Sequence, residues 1–237
     1  ELEGKAETLK GKVKHLFHLA AIYDLTADEE SQIRANVDGT KHAMQLGVAV
    51  KAGCFHHVSS IAAAGLYPGV FKEDMFDEAE GLDDPYFRTK HDSEGMVRRE
   101  YPRPYRIYRP AIVLGHSQTG EIDKIDGPYY FFRLIKRMRA LLPQWVPTIG
   151  IEGSRLNMVP VDYVADAMDW IAHKPGLDGH CFHLTDPAPQ RVGEALNTFA
   201  RAANAPQMTM RVDARMFAFV PPMVRADQAP SAGSSSV

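Results

Sequence analysis

Short apolar stretches alternate along this chain with amphipathic stretches of roughly ten residues or more, and few folds accommodate that alternation. Residues 13–19 (VKHLFHL) read as a strand, and residues 26–29 (TADE) fit a capping box opening a helix that runs through Asn36 to about residue 50. Residues 54–60 (CFHHVSS) read as a second strand, bounded by Gly53 and by Ala62, Ala63, Ala64 and Gly65. Asp84 and Pro85 supply an N-cap and a first-turn proline for a helix ending near Glu100. Residues 105–114 (YRIYRPAIVL) read as a third strand, interrupted at Pro110, where the ladder is expected to stop, and ended by Gly115. The alternation continues with helices over 129–142, 163–173 and 192–203, and with strands over 156–159 and 180–185. Asp162 is expected to cap the helix that follows it. Strands separated by helices of this length form a parallel sheet covered on both faces, so the expected class is α/β with a doubly wound, Rossmann-like sheet.

The 237 residues suffice for a sizeable core without disulfides or metals. With 27 basic and 30 acidic residues the net charge is −3, which offers no electrostatic footprint for nucleic acid. Cys54 and Cys181 are far apart and belong to no C-x-x-C pair, as expected in a reducing compartment, and no apolar run reaches the length of a transmembrane span. A cytoplasmic protein is expected. Cys54, His56 and His57 share one strand, and His180, Cys181 and His183 another, but adjacent strand residues face opposite ways, so no metal site is expected. Trp145 and Trp170 are expected to pack in a substrate lobe and a core. Residues 225–237 (RADQAPSAGSSSV) read as a flexible tail or linker.

Tyr86 and Lys90 form Y-x-x-x-K at the start of the expected helix, where residues four apart share a face. Ser60 ends an expected strand earlier in the chain, and open α/β sheets bind ligands beyond the carboxyl ends of their strands. Together the three suit reduction of a carbonyl, whose oxygen needs a proton donor and hydrogen-bond donors as it becomes an alkoxide. A phenol of ordinary pKa, about 10, holds its proton too tightly at neutral pH, and a neighbouring ammonium favours the phenolate.

The sequence resembles the extended short-chain dehydrogenase/reductase family from about residue 13 to residue 185. The likeness rests on HLAA at 18–21, NVDGT at 36–40, HVSS at 57–60, YFRTK at 86–90, YRPAIVLG at 108–115 and VPVDYVADA at 159–167, in the family's order. The resemblance implies that Ser60, Tyr86 and Lys90 are catalytic, that Lys90 and Tyr86 also meet the cofactor, and that Ala20 and Ala21 form the cofactor-facing end of a strand. It further implies that Pro110, Ala111, Ile112 and Val113 lie beside the nicotinamide and that Asn36 is the helix asparagine near the active site.

The family's opening glycine-rich turn, G-x-x-G-x-x-G, is missing, and with it the residue that would choose between NAD and NADP. The sequence is therefore expected to enter the fold about three strands late, as a partial domain over 1–224 belonging to a longer chain with further domains. Its smaller substrate lobe is expected over about 115–155 and 186–224. Within the family the segment from His116 to Trp145 looks most like the acyl-CoA or thioester reductases of the fatty acyl reductase branch. Arg133 and Arg137 among its aromatics and leucines could meet a phosphorylated acyl carrier. The resemblance thus implies NADP(H), with NAD(H) possible, reducing an acyl thioester or derived aldehyde; the alternatives are a nucleotide-sugar epimerase or dehydratase, or a cofactor-binding scaffold without activity.

Overall fold

A computed structural model describes residues 3–21, 28–122 and 127–213. The strands in chain order are β1 (His15–His18), β2 (Cys54–Val58), β3 (Tyr105–Pro110), β4 (Ile112–Leu114), β5 (Thr148–Glu152), β6 (Arg155–Leu156), β7 (Met158–Pro160), β8 (Cys181–Leu184), β9 (Gln190–Arg191) and β10 (Met208–Asp213). The α-helices are α1 (Glu3–Leu9), α2 (Glu29–Gln32), α3 (Gly39–Ala49), α4 (Pro85–Glu100), α5 (Phe131–Leu141), α6 (Val161–His173) and α7 (Val192–Ala202). The chain divides into two units, residues 1–123 with 157–187 and residues 124–156 with 188–237.

The first unit is built on a parallel sheet of order β1-β2-β3-β8, whose registers pair His15 with Cys54, Phe55 with Tyr105 and Ile107 with Cys181. Alternation along β3 sends neighbouring side chains to opposite faces. Ile107 joins Met44, Phe55, Val97, Tyr101 and Cys181 against α3 and α4, whereas Tyr108 joins Ala111, Val159, Val164, Met168, Ile171 and Leu184 against α6. The sheet is thus buried on both faces, as a doubly wound α/β fold requires. A side chain wholly removed from water, such as Phe55, stabilises this core by about 1.5–3 kcal/mol.

Several expectations need correction. The helix expected over 26–50 starts at Glu29, with Asp28 as its cap accepting from the Ser31 amide at 2.8 Å; Thr26 lies outside the described residues. Between α2 and α3 it contains a π-helical segment, Ile33–Asp38. The strand over 105–114 is interrupted at Pro110 as expected, since Pro110 closes β3; what differs is that the Ala111 amide still donates to Leu184 O at 3.0 Å and that the residues beyond form a separate strand, β4, paired with β7. The strand expected over 156–159 likewise divides into β6, antiparallel to β9, and β7. Asp162 is not the cap of α6, a place held by Pro160; its carboxylate accepts from the Ser117 amide and hydroxyl at 2.9 and 2.6 Å. Those bonds hold its pKa below the usual carboxylate range. Trp145 and Trp170 are both exposed, and Trp170 packs beneath the Lys174 ammonium, 4.1 Å from the ring centroid.

The second unit pairs β5 with β10 in parallel and packs α5 on α7 through Ile135, Ala200 and Ala205, with Phe132 edge-on to Phe199 at 5.2 Å. Neither β5 nor β10 was expected, although TIGIE and MTMRVD both alternate with the period of a strand; the alternation is short and easily passed over. Among the described residues no helix is long and apolar enough to cross a membrane.

Candidate active site

The carboxyl ends of β1, β2 and β3 lie side by side in the parallel sheet, and the residues singled out in the sequence of the first unit gather there. After Val58 the backbone stays extended through Ser60, at φ −163° and ψ 157°, and enters a 3₁₀ turn, Ile61–Ala64. Ser60 caps this turn, its Oγ accepting from the Ala62 amide at 3.1 Å. Gly65 follows at φ +63°, where a Cβ would collide with Glu80 O. That close approach, a bridge from Gly65 to Glu80, draws the ends of the intervening loop together and returns the chain to α4.

Asp84 caps α4, accepting from the Tyr86 and Phe87 amides at 2.8 and 3.4 Å. Tyr86 lies half-buried in the first turn. One turn on, Lys90 is only 5% exposed and its Nζ donates to Val58 O at 3.2 Å. Next to it His91 Nδ1 lies 3.0 Å from Ala63 O, so α4 is bonded to the strand end before Ser60 and to the turn after it. Burial pushes the Lys90 ammonium down to about 8, against the opposing charge of Glu94.

Asn36 is buried in the π-helical segment, and its Nδ2 donates to Thr89 Oγ1 at 3.1 Å. Thr89 Oγ1 in turn donates to Tyr86 O at 3.2 Å. Thr40 Oγ1 donates to Asn36 O at 2.7 Å, so its proton is committed and the His18 Nε2–H, 3.0 Å away, is the donor in that pair. A polar string therefore runs from the end of β1 through the helix to the first turn of α4. His18 and His57 stack at 5.7 Å beside Lys90. Burial, then the Lys90 charge, pushes the pKa of each histidine below its ordinary value, and for the fully enclosed His57 well below it.

Ala20 and Ala21 follow β1 as small, exposed residues, Pro110 and Ala111 are buried at the end of β3, and Ile112 and Val113 are progressively more open. Small or apolar groups at the ends of β1 and β3, with one buried ammonium bonded to the end of β2 between them, fit the ribose and nicotinamide half of a dinucleotide. Arg133 and Arg137 belong to the second unit, on the exposed part of α5 one turn apart.

Sequence reasoning missed Ser59, Glu94 and Arg109. Glu94 and Arg109 are both fully buried, and the carboxylate accepts from Arg109 Nε and Nη2 at 3.0 and 2.7 Å, from Arg98 Nε at 2.8 Å and from Ser59 Oγ at 2.7 Å. Burial alone would raise the Glu94 pKa; the bonds and charge of Arg109, then Arg98 and Ser59, outweigh it and hold the carboxyl below its ordinary value. The available signal was an arginine inside a strand expected to be covered on both faces, which demands a buried partner.

A family model described as male sterility protein, an NAD-binding family, matches residues 3–168. The chain belongs to this family. It is 30% identical over 196 residues to the non-canonical nonribosomal peptide synthetase hkm10 of Aspergillus hancockii, covering 78% of this chain and 18% of the relative. It is 28% identical over 183 residues to the aldehyde reductase lnbA of Aspergillus flavus, covering 73% of this chain and 18% of that protein. Among solved structures, the terminal R domain from the myxalamid PKS-NRPS biosynthetic pathway superposes with a TM-score of 0.69 at 25% identity, covering 90% of this chain and 52% of that one. The chain thus spans less than a fifth of the length of these two curated relatives, and its family is of the NAD(P)-binding, reductase-like kind.

Proposed function

We propose that this chain carries the catalytic part of an NAD(P)H-dependent oxidoreductase that reduces the carbonyl of an acyl thioester or of the aldehyde derived from it. The observation that carries this reading is that Lys90, four residues after Tyr86 on one helix, is buried and bonded to Val58 O, two residues before Ser60. The names of an aldehyde reductase and of a terminal R domain among the similar proteins support the substrate class.

A reduced nicotinamide cofactor, when bound, would supply the hydride that the carbonyl carbon takes up. Tyr86 Oη passes its proton to the carbonyl oxygen as negative charge builds there, and the Ser60 hydroxyl, whose lone pair already accepts from the Ala62 amide, donates its hydrogen to the same oxygen. Lys90, positively charged beside the phenol, lowers the cost of the phenolate left behind. Its buried position keeps that charge poorly screened. Ala20, Ala21 and the segment from Pro110 to Val113 would hold the cofactor's ribose and nicotinamide side, and Arg133 and Arg137 would meet the phosphates of an acyl carrier.

The test is oxidation of NADPH, with NADH beside it, by the full-length protein given octanal or octanoyl-CoA. Tyr86→Phe is expected to lower kcat at least about 10²-fold with the fold intact, since only the proton donor is removed. Arg137→Glu is expected to raise KM for octanoyl-CoA and leave KM for octanal unchanged. Wild-type turnover by Tyr86→Phe overturns the assignment.

A further inference from the structure

Glu94 on α4 is bonded to Ser59, the residue before Ser60, and to Arg109 at the end of β3, and the proposed reduction gives it no part. We propose that Glu94 is a positioning residue: acting through Ser59, it fixes the strand end carrying Ser60 against the helix carrying Tyr86 and Lys90. The inference rests on the Ser60, Tyr86 and Lys90 reading above.

Two consecutive residues ahead of Ser60 are each held by α4. Val58 O accepts from Lys90 Nζ at 3.2 Å, and Ser59 Oγ donates to Glu94 Oε2 at 2.7 Å. Lys90 and Glu94 are four residues apart and so lie on the same helix face. In an extended backbone consecutive side chains alternate, so the bond that pins Ser59 to Glu94 also fixes the direction in which the Ser60 side chain leaves the strand end. The Ser59 amide also donates to Tyr108 O at 2.8 Å, so the same residue is locked to β3.

Arg109 extends the device to the loop between Ser60 and Tyr86. Besides Glu94, its guanidinium donates to Lys72 O at 3.3 Å and Met75 O at 2.9 Å, and Nη1 lies 3.2 Å from His183 Nε2. One buried ion pair thereby sets the strand end, the helix and the loop that leads from one catalytic side chain to the next. An apolar pair of the same volume could fill this core without the desolvation cost. It could not hold a serine hydroxyl and two loop carbonyls in fixed directions.

Glu94 also faces Lys90 electrostatically. The titratable and charged groups around the ammonium are Tyr86 and Glu94, one turn before and one turn after it on its own helix, His18 from β1 and His57 from β2, and both histidines are kept neutral by burial. Removing the Glu94 charge leaves no carboxylate among these to oppose desolvation, so Lys90 gives up its proton at lower pH.

The experiment follows NADPH oxidation by octanal in the full-length enzyme for wild type, Ser59→Ala, Glu94→Gln and Tyr86→Phe, with folding checked by circular dichroism. Ser59→Ala is expected to fold, to lower kcat at least about tenfold and to leave KM for NADPH within about twofold, because small misplacements of a reacting group are costly. Glu94→Gln is expected to move the alkaline limb of the kcat profile to lower pH by roughly one unit. A folded Ser59→Ala with wild-type kcat overturns the inference, as does a folded Glu94→Gln with an unmoved limb; if Glu94→Gln fails to fold, Ser59→Ala decides. An active Tyr86→Phe, or a wild type that oxidises neither nicotinamide, overturns the reading of the triad itself. An inactive Tyr86→Phe beside a fully active Ser59→Ala removes the positioning role alone.

Discussion

Replacing Lys90 by methionine should make this protein more stable at neutral pH while removing the ammonium that its proposed chemistry needs. Lys90 is 5% exposed, and burial brings its pKa from 10.5 to about 8. At 1.36 kcal/mol per pH unit of difference, keeping the charge inside costs the folded state about 3 kcal/mol at pH 7. Methionine fills a similar volume and carries no charge, but it gives up the bond to Val58 O, worth about 1 kcal/mol. The net gain at pH 7 is therefore about 2 kcal/mol, or a rise in Tm of roughly 4–8 °C for a chain of this size. The sign of the pH dependence follows from the lowered folded pKa. Between about 8 and 10.5 the unfolded chain binds more protons than the folded one, so wild-type stability rises across that window; below it the penalty is fully present, and above it the penalty is gone. Guanidinium denaturation of wild type and Lys90→Met at pH 7 and pH 10 should show an advantage of about 2 kcal/mol shrinking to near zero. A variant less stable than wild type at pH 7, or one with the same advantage at both pH values, would refute the burial cost assigned to this lysine.

Arg109→Met should destabilise the fold by about 3–5 kcal/mol, because it strands the wholly buried Glu94 charge with Arg98 and Ser59 alone and frees the Lys72 and Met75 carbonyls. A loss below about 1 kcal/mol in denaturant titration would show that the pair contributes nothing net. Asp84→Ala should cost about 1 kcal/mol through the lost cap on the Tyr86 and Phe87 amides, with Asp84→Asn recovering most of it; equal melting curves for Ala and Asn would exclude capping as the cause.

The periodicity of the chain was enough to place β1, β2, β3, β8 and the helices α4, α6 and α7 to within a few residues, because each carries a local signal. Asp84 before Pro85 marks a helix start from chemistry that acts within one turn, and Gly53 and the small residues from Ala62 to Gly65 bound β2. Sequence also singled out Ser60, Tyr86 and Lys90, whose residue types and spacing suit one reaction, and the resemblance to a reductase family agrees with the match found over residues 3–168. That Lys90 would be buried and bonded to the strand end before Ser60 needed the fold. The pairing of β4 with β7 after Pro110, the parallel pairing of β5 with β10 and the exposure of Trp170 depend on partners distant in the chain, and no local pattern encodes a partner. The same holds for Glu94. In sequence it is one more acid on a polar helix; its meaning comes from Arg109, fifteen residues on, and from Ser59, thirty-five residues back. Tertiary structure alone decided that these three would meet in the dark interior between β2, β3 and α4. There, exclusion of water turns an ordinary ion pair into one that must be complete, since a buried charge stripped of its partner costs several kcal/mol whereas the same charge at the surface costs little.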